Sequence, residues 1–340
     1  MNPEAQHAPR ISIAAPRISI AMATYNGSKY LLEQLDSLAA QTHLPCELVV
    51  TDDGSTDDTL EILYQFALCA SFPVRVFRNE QRLGYRDNFL KAAKLCTGEL
   101  IAFCDQDDVW MPNKLEKVGR EFDDPEVLLV IHDIKVVTDM LDAVRDYRAP
   151  NCNIPFAVQY GNSMVFRASL PLSIGIDRPR SERDPDEAPL AHDEWVPFLA
   201  SCLGRCINLH SPLILYRQHG NNVCGFGPKE KACSESVSNQ HALRFQLRAL
   251  RADEHASTLR TLIAEGNLPQ NRRAQALSSL ARWERYSRLL HYRSELYERN
   301  SVLLSRLKRL LNILFLRGYT KIQLGRKALI KDAIVAFRGI

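Results

Sequence analysis

The chain has 340 residues with a hydrophobic fraction of 46%, enough for one large domain with an appendage or for two domains. Its nine cysteines include no C-x-x-C pair, which argues against a disulfide scaffold or a zinc site and indicates a reducing cytoplasm. We expect no signal peptide and no membrane-spanning helix, because no apolar run reaches the roughly 18 residues that a spanning helix needs.

The charge is distributed unevenly along the chain, although the net charge is only +3. Residues 240–340 contain 20 Lys and Arg against 7 Asp and Glu, a net charge of +13. Residues 1–239 contain 23 Lys and Arg against 33 Asp and Glu, a net charge of −10. An acidic body with a basic tail indicates a cation-assisted site in the first part and an anionic surface as the target of the second.

Residues 8–21 contain the heptapeptide Ala-Pro-Arg-Ile-Ser-Ile-Ala twice, and only the second copy can become the first strand. The first copy therefore predicts a loosely ordered extension. From residue 18 onward, short apolar runs alternate with helical periodicity, which is typical of a doubly wound, mainly parallel α/β sheet with helices on both faces. The predicted strands are 18–23, 47–51, 74–77, 100–104 and 127–131, with helices at 31–38, 59–68, 88–95 and 114–122 between them.

After Thr138 the pattern loosens. We predict a strand at 159–167, a surface loop at 177–194, a helix at 196–203, a last strand at 207–216 and two or three amphipathic helices in the basic tail. These elements divide the chain into an N-terminal extension (1–16), an α/β domain (17–225), a linker (226–240) and a helical C-terminal region (241–340).

Polar clusters follow three of the predicted strands, at Thr24-Tyr25-Asn26, Asp52-Asp53 and Asp105-Gln106-Asp107. In a doubly wound sheet these strand ends face one crevice, which is where ligands bind. Clustered acids repel one another, so we expect a divalent cation with oxygen ligands among them. The plain alternative is a set of turns that cap the following helices. No Gly-x-Gly-x-x-Gly follows the first strand, which argues against a nicotinamide or flavin site.

Three motifs, in this order and spacing, resemble those of the family 2 glycosyltransferases: Thr24-Tyr25-Asn26-Gly27, Thr51-Asp52-Asp53-Gly54-Ser55 and Asp105-Gln106-Asp107-Asp108-Val109-Trp110. The resemblance covers residues 17–225 and implies the GT-A fold. It also implies transfer of a sugar from a nucleotide-diphosphate donor with inversion, and a divalent metal, Mg²⁺ or Mn²⁺, at a D-x-D motif. The third motif and Gln218-His219-x-x-Asn222 resemble a bacterial rhamnosyltransferase subset, which favours dTDP-rhamnose over a UDP-sugar as donor.

The resemblance implies a role for each matching residue. Asp193 is the expected general base, and Asp107 and His219 are the expected metal ligands. The residues implied near the nucleotide-sugar donor are Thr24, Tyr25, Asn26, Asp52, Asp53, Arg82, Asn88, Asp105 and Gln106. The residues implied on the acceptor side are Gly161, Asn162, Glu194 and Trp195.

Three points stay open at this level. Glu194 stands beside Asp193, and successive helical residues point about 100° apart, so only one of them should reach an acceptor hydroxyl. Position 162 is Asn where relatives often have Cys or Thr, which leaves the acceptor undetermined. Asp108 fits either a third metal ligand or the cap of the helix that follows.

The residue types also define the chemistry. Inversion at an anomeric carbon needs in-line attack by an acceptor hydroxyl, and a positioned carboxylate that takes its proton contributes roughly 10²–10⁴-fold. His219 or Arg217 would stabilise the departing diphosphate. The alternatives are a helix N-cap for Asp193 and a loop histidine bonded to backbone for His219.

The stretch 296–317 mixes apolar stripes with Arg and Lys, and two interpretations fit it. Either it lies on an anionic membrane, at the cytoplasmic face of the inner membrane, or it packs on the catalytic domain or a partner. Nucleic acid is not expected, because no recognised module accompanies the charge. The leading hypothesis is an enzyme that extends a cell-surface polysaccharide or a lipid-linked saccharide. The alternative is a catalytically silent sugar-nucleotide binder or scaffold.

Overall fold

A mixed sheet of nine strands lies at the centre of the computed structural model. The structure describes residues 15–172, 178–179, 181, 188–220, 222, 237–266, 268–298, 301–316 and 326–338, without the side chains of 237–240 and 326. The described strands are β1 (Ile18–Thr24), β2 (Glu47–Asp52), β3 (Val74–Arg78), β4 (Leu100–Cys104), β5 (Val109–Trp110), β6 (Val127–Val137), β7 (Ala143–Tyr147), β8 (Met164–Arg167) and β9 (Arg205–Arg217). The described helices are α1 (Ser28–Ala39), α2 (Thr59–Cys69), α3 (Gly84–Leu95), α4 (Lys114–Gly119), α5 (His192–Leu203), α6 (Val237–Ala264), α7 (Gln270–Leu296), α8 (Leu303–Phe315) and α9 (Arg326–Arg338).

The strands follow the order β3-β2-β1-β4-β8-β6-β9-β5, and β7 pairs with β6 outside this path. The first four are parallel, so the carboxyl ends of β1, β2 and β4 meet at one edge of the sheet. The other half is mixed: β8 is antiparallel to β4 and β6, whereas β9 runs parallel to β6. Strand β9 therefore brings its own carboxyl end toward the same edge.

Two apolar layers cover the sheet, because successive side chains of a strand point to opposite faces. Ile18, Ile20 and Met22 of β1 belong to one layer, which they share with side chains of α1 and α4. Ala21 belongs to the other layer, which includes α3, α5 and side chains from all four C-terminal helices. The C-terminal helices therefore share a core with the α/β part of the chain.

A buried ion pair fixes α9 on α7. Arg293 donates two hydrogen bonds to Asp332, at 2.7 and 2.9 Å, and the Tyr297 hydroxyl donates a third at 2.9 Å. Asp332 has no exposed surface. Because either charge alone would be buried without compensation, this contact favours one docking position for α9.

The structure confirms the α/β fold with a helical C-terminal region. The predicted strand at 159–167 is wrong in its first half, where Gly161–Ser163 form a 3-10 turn. Strands β5 and β7 have no sequence signal, because β5 has two residues and β7 is largely exposed. The described part of the tail holds four helices instead of two or three, and none of them is long and apolar enough to cross a membrane.

The predicted region boundaries stay predictions. Residues 1–14, which contain the first heptapeptide copy, lie outside the described residues. Most of the predicted linker and part of the predicted surface loop also lie outside them.

Glu47, at the start of β2, is a buried carboxylate that joins several chain segments. It accepts hydrogen bonds from Ser19 Oγ at 2.8 Å, from the Thr97 N–H at 2.6 Å and from Arg75 at 2.9 Å. Burial raises the pKa of Glu47, but these hydrogen bonds outweigh it and hold the pKa below its ordinary value of 4.5.

We expect Glu47→Gln to lower the free energy of unfolding by about 1–3 kcal/mol at neutral pH. A carboxylate with a lowered pKa stabilises the fold above its ordinary pKa, and this contribution is lost as the pH falls through the lowered value. The difference from the unchanged protein should therefore shrink below pH 4.5. Urea unfolding in a pH series measures it, with the exposed Glu61→Gln as control. A difference that is the same at every pH would contradict this role of Glu47.

Candidate active site

The loops after β1 and β4 are tied together at the carboxyl edge of the sheet. The Tyr25 N–H donates to Gln106 Oε1 at 3.0 Å, and Gln106 Nε2 donates to the Tyr25 carbonyl at 3.1 Å. Gly27 is needed here, because a Cβ at this position would lie 2.2 Å from Gln106 Oε1. The Asn26 side chain accepts from the Thr56 N–H at 2.8 Å, which joins the loop after β2 to the other two.

Asp52 organises the turn after β2 and has no exposed surface. Its carboxylate accepts from Thr24 Oγ1 at 2.9 Å and from the N–H groups of Gly54 at 3.1 Å and Ser55 at 2.9 Å. These hydrogen bonds engage the side chains of Asp52 and Thr24, so the two residues hold the conformation of the turn.

Asp53 holds the loop that follows β3. It accepts from the N–H groups of Leu83 at 2.7 Å and Gly84 at 2.8 Å, and from Asn79 Nδ2 at 2.9 Å. Asn88 is 2% exposed, with its amide bonded to Asn79 and to the backbone of β2. The structure therefore corrects the prediction for Asn88, which supports the Asp53 network instead of facing a ligand.

An open cleft lies beside Asp53. The guanidinium of Arg82 lies over the ring of Tyr25, 3.9 Å from its centroid, and the ring is 38% exposed. The guanidinium groups of Arg78 and Arg82 and the exposed ring of Tyr25 suit a flat ligand that carries negative charge. The cleft is lined by Tyr25, Asp53, Gly54, Arg78, Asn79, Glu80 and Arg82.

Asp108 and Arg217 connect the ends of β4 and β9 in the interior. The Asp108 carboxylate accepts from the backbone N–H of Arg217 at 3.0 Å and from Asn162 Nδ2 at 2.5 Å. The Arg217 guanidinium donates to the Asp107 carbonyl at 2.8 Å and to Glu33 at 2.6 Å. Both Asp108 and Arg217 are buried. Asp108 is therefore an anchor, and Arg217 is engaged away from any departing diphosphate.

Asp107 and His219, the two predicted metal ligands, meet at the rim of the site. Asp107 Oδ2 lies 2.8 Å from His219 Nε2, and both side chains are partly exposed. Asn222 accepts from the His219 N–H at 2.5 Å and donates to the Arg217 carbonyl at 3.0 Å. The spacing Gln-His-x-x-Asn thus closes a turn that presents the imidazole to Asp107.

Asp105 completes a cluster of carboxylates. Burial, together with the neighbouring charges of Asp107 and Asp193, raises the pKa of Asp105 to about 8, while Lys114 opposes the shift. Lys114 is itself buried and donates to the Asn162 carbonyl at 2.7 Å, and burial lowers its pKa to about 7. Asp107 and Asp193 therefore both act on the charge of Asp105, and a bound cation would relieve this repulsion.

The two adjacent acids at the start of α5 have different surroundings. Glu194 accepts from the Ala191 N–H at 3.2 Å and from Ser181 Oγ at 3.0 Å, which caps the start of the helix. Asp193, in contrast, is close enough to raise the pKa of Asp105. Trp195 is 2% exposed and lies in the core, which corrects its predicted place on an acceptor surface.

Gly161 allows the turn before β8 to touch the first residue of α5. A Cβ at this position would lie 2.4 Å from His192 Nε2. The His192 ring is stacked on Phe89, with centroids 4.0 Å apart, so it has little room to retreat. Asn162 is buried, and its side chain is bonded to Asp108. This stretch therefore holds Asp108 in place instead of facing an acceptor.

A groove lined by Asp193 and Glu194 runs along α5. Its other walls are residues 152–159 and parts of α6 and α7. Phe156, at φ +57°, places its ring 5.6 Å from that of Trp283. Gln159 also lines the groove, and its Oε1 is buried without a hydrogen-bond partner among the residues described. The groove thus joins Asp193 to a largely apolar, aromatic surface.

Asp107 and His219 fit a metal ion that takes two ligands from the protein. In the described residues, no group of three or more His, Cys, Asp and Glu side chains is arranged to hold a metal. Magnesium usually binds one or two carboxylates and completes its coordination with substrate phosphates and water. The donor set is therefore compatible with a metal that binds together with a phosphorylated ligand.

Several residues that build the site have no sequence signal. Lys114, Asn79 and His192 resemble ordinary helix or loop residues, and only their burial reveals their contacts. Asn222 is the exception, because its fixed spacing from His219 is visible in the sequence.

We expect Gly161→Ala to lower the free energy of unfolding by about 1–3 kcal/mol, because the added methyl group overlaps the packed His192 ring. The same change should cost less in a His192→Ala background, where the ring is absent. Urea unfolding of the two single variants and the double variant measures this coupling. Gly220→Ala is the control, because a Cβ at position 220 meets nothing within 4 Å. Additive losses would contradict a direct contact.

Comparisons with known proteins agree with this geometry. Residues 19–171 match the family model described as glycosyl transferase family 2. An uncharacterized glycosyltransferase of Nostoc sp. is 32% identical over 219 residues, which cover 61% of this chain and 66% of the relative. An uncharacterized protein of Mycobacterium bovis is 28% identical over 213 residues, which cover 61% of this chain and 60% of that protein. The chain thus spans less than two thirds of the length of these curated relatives.

The fold also resembles a solved structure. The crystal structure of S. aureus TarS residues 1–349 superposes with a TM-score of 0.50 at 20% sequence identity, covering 90% of this chain and 93% of that one. At this identity the likeness concerns the fold alone. Residues 19–171 are thus similar to the family 2 glycosyltransferases, and the fold of the chain is of the GT-A type.

Proposed function

We propose that the protein is an inverting glycosyltransferase that moves a sugar from a nucleotide-diphosphate donor to a hydroxyl group of a saccharide. One observation carries the proposal: Asp193, from α5, and Asp107 both lie close enough to Asp105, at the end of β4, to act on its charge. A candidate base and a candidate diphosphate site therefore share one edge of the sheet.

In this proposal the donor nucleotide occupies the cleft beside Asp53, with its base against Tyr25 and its charge near Arg78 and Arg82. Asp107 and His219 would hold a divalent metal, Mg²⁺ or Mn²⁺, which supplies positive charge to the diphosphate when bound. The protein's own contribution is to hold both ligands in place through Asp108 and Arg217 before the donor arrives.

Asp193 is the proposed general base. It takes the proton from the acceptor hydroxyl while the oxygen forms a bond to the anomeric carbon and the bond to the diphosphate breaks. The nucleoside diphosphate departs on the opposite face, which inverts the configuration. The bonds of Glu194 to Ala191 and Ser181, which cap the helix, support Asp193 over its neighbour in this role.

We place the acceptor in the groove along α5, because the groove is lined by Asp193. Its aromatic wall suits the apolar face of a sugar ring. The acceptor is a growing cell-surface polysaccharide or a lipid-linked saccharide. The donor sugar is rhamnose from dTDP-rhamnose, and the turn built by Gln218, His219 and Asn222 supports this choice through its likeness to the rhamnosyltransferase motif.

We expect Asp193→Asn to reduce sugar transfer by roughly 10²–10⁴-fold, because the amide cannot accept the hydroxyl proton. Donor binding should change little, which thermal shift with the nucleotide sugar measures. Glu194→Gln, its matched neighbour, should keep most of the transfer activity. Transfer that survives Asp193→Asn would remove the assignment of the base. A protein that binds the donor but never transfers would favour the scaffold alternative.

Thermal shift also tests the donor and the metal. At about 100-fold excess over its dissociation constant, a ligand stabilises the fold by about 2.7 kcal/mol. We expect dTDP-rhamnose with Mg²⁺ or Mn²⁺ to give such a shift, and Asp107→Asn or His219→Gln to abolish the metal-dependent part. The exposed Asp36→Asn is the control. Stabilisation by a UDP-sugar and not by dTDP-rhamnose would contradict the rhamnosyl assignment.

A further inference from the structure

Helix α8 exposes an apolar stripe. Leu304 is 79% exposed, Leu311 63% and Phe315 88%. These positions are seven and four residues apart, so they lie on one face of the helix. Lys308 stands between them in the sequence and is also exposed.

Helix α9 repeats this arrangement. Ile330, Ile334 and Phe337 are between 49% and 66% exposed and follow the spacing of one helical face. Lys331 and Arg338 follow Ile330 and Phe337 directly and are exposed beside them. Both helices therefore combine an uncovered apolar face with basic side chains at its border.

The opposite sides of both helices are already packed. Leu310 and Ile313 of α8 are buried in the shared core. Asp332 fastens α9 to α7, and Arg306 of α8 donates to the Ala336 carbonyl of α9 at 3.2 Å. In the part of the chain that the structure describes, the exposed stripes thus lie apart from these packed residues of α8 and α9.

The charge on these helices has one sign at the surface. Between residues 303 and 315 there are three basic residues and no acidic one. Between residues 326 and 338 the only acidic residue is Asp332, which is buried in its ion pair. The exposed basic residues are Lys308, Lys327, Lys331 and Arg338. This surface is complementary to an anionic one.

We propose that the exposed stripes of α8 and α9 dock on the surface of a bilayer that contains anionic lipids. Apolar side chains of this kind enter the boundary between headgroups and acyl chains, while Lys and Arg keep their charges at the headgroups. Each basic side chain near such a surface adds to the attraction, and the attraction weakens with salt. This surface is separate from the proposed catalytic function and does not depend on it.

Vesicle co-sedimentation of the full chain tests the proposal. We expect binding to vesicles of phosphatidylcholine with phosphatidylglycerol to be roughly tenfold tighter or more than binding to phosphatidylcholine alone, and to weaken at high salt. The triple variant Leu304→Gln, Leu311→Gln, Phe315→Gln should lose at least tenfold in affinity. Leu68→Gln is the matched control, because Leu68 of α2 is 80% exposed and should not contribute.

Further variants separate the alternatives. Lys308→Gln with Lys331→Gln should reduce the preference for phosphatidylglycerol while the midpoint of thermal unfolding stays the same. Asp193→Asn should bind vesicles like the unchanged protein, so loss of transfer and loss of docking are distinguishable. Equal binding by the triple variant would overturn the proposal. It would also be overturned if the unchanged chain ignores anionic vesicles but forms a dimer that the triple variant breaks, because the occupant would then be a second copy.

Discussion

The site depends on one buried cation. Arg217 donates from its guanidinium to the Asp107 carbonyl and to Glu33 of α1, and its own N–H is bonded to Asp108. A buried guanidinium that loses a partner leaves an uncompensated charge, so the loops after β4 and β9 are held in one relative position. The carboxylate cluster therefore exists before any ligand binds, despite the burial and the neighbouring negative charges that raise the pKa of Asp105.

The sequence places the candidate site at the ends of the strands, but it does not show which of its residues face a ligand. Asp53 and Asp107 could be placed at strand ends, because an apolar run that stops at polar residues marks such an end. Which carboxylates face a ligand could not be predicted. Asp108 is adjacent to Asp107, but its carboxylate accepts hydrogen bonds from the Arg217 N–H and from Asn162, which are distant in the chain. The same holds for β5, whose two residues form a strand only because β9 lies beside them.

The helical tail shows a related limit. Its amphipathic pattern agreed equally with packing on the catalytic domain and with a membrane surface, since a pattern does not show how much of an apolar face is covered. In the structure, the side of α8 with Leu310 and Ile313 is packed in the core, whereas the side with Leu304 and Phe315 is exposed. Helix α7 lines the proposed acceptor groove with Trp283 and contacts α9 farther along, so the proposed membrane surface and the groove share one helix.

The position of β9 also has a consequence for synthesis of the chain. Its N–H at Arg217 reaches Asp108 across 109 residues of sequence. Until β9 has left the ribosome, Asp108 lacks the Arg217 N–H, the Asp107 carbonyl lacks the Arg217 guanidinium, and β6 lacks its parallel partner. Pairing over such a separation is slow because a long loop must close first. The segment that carries the family motifs, residues 19–171, is therefore complete well before the site is, and the last strand to be made is the one that finishes it.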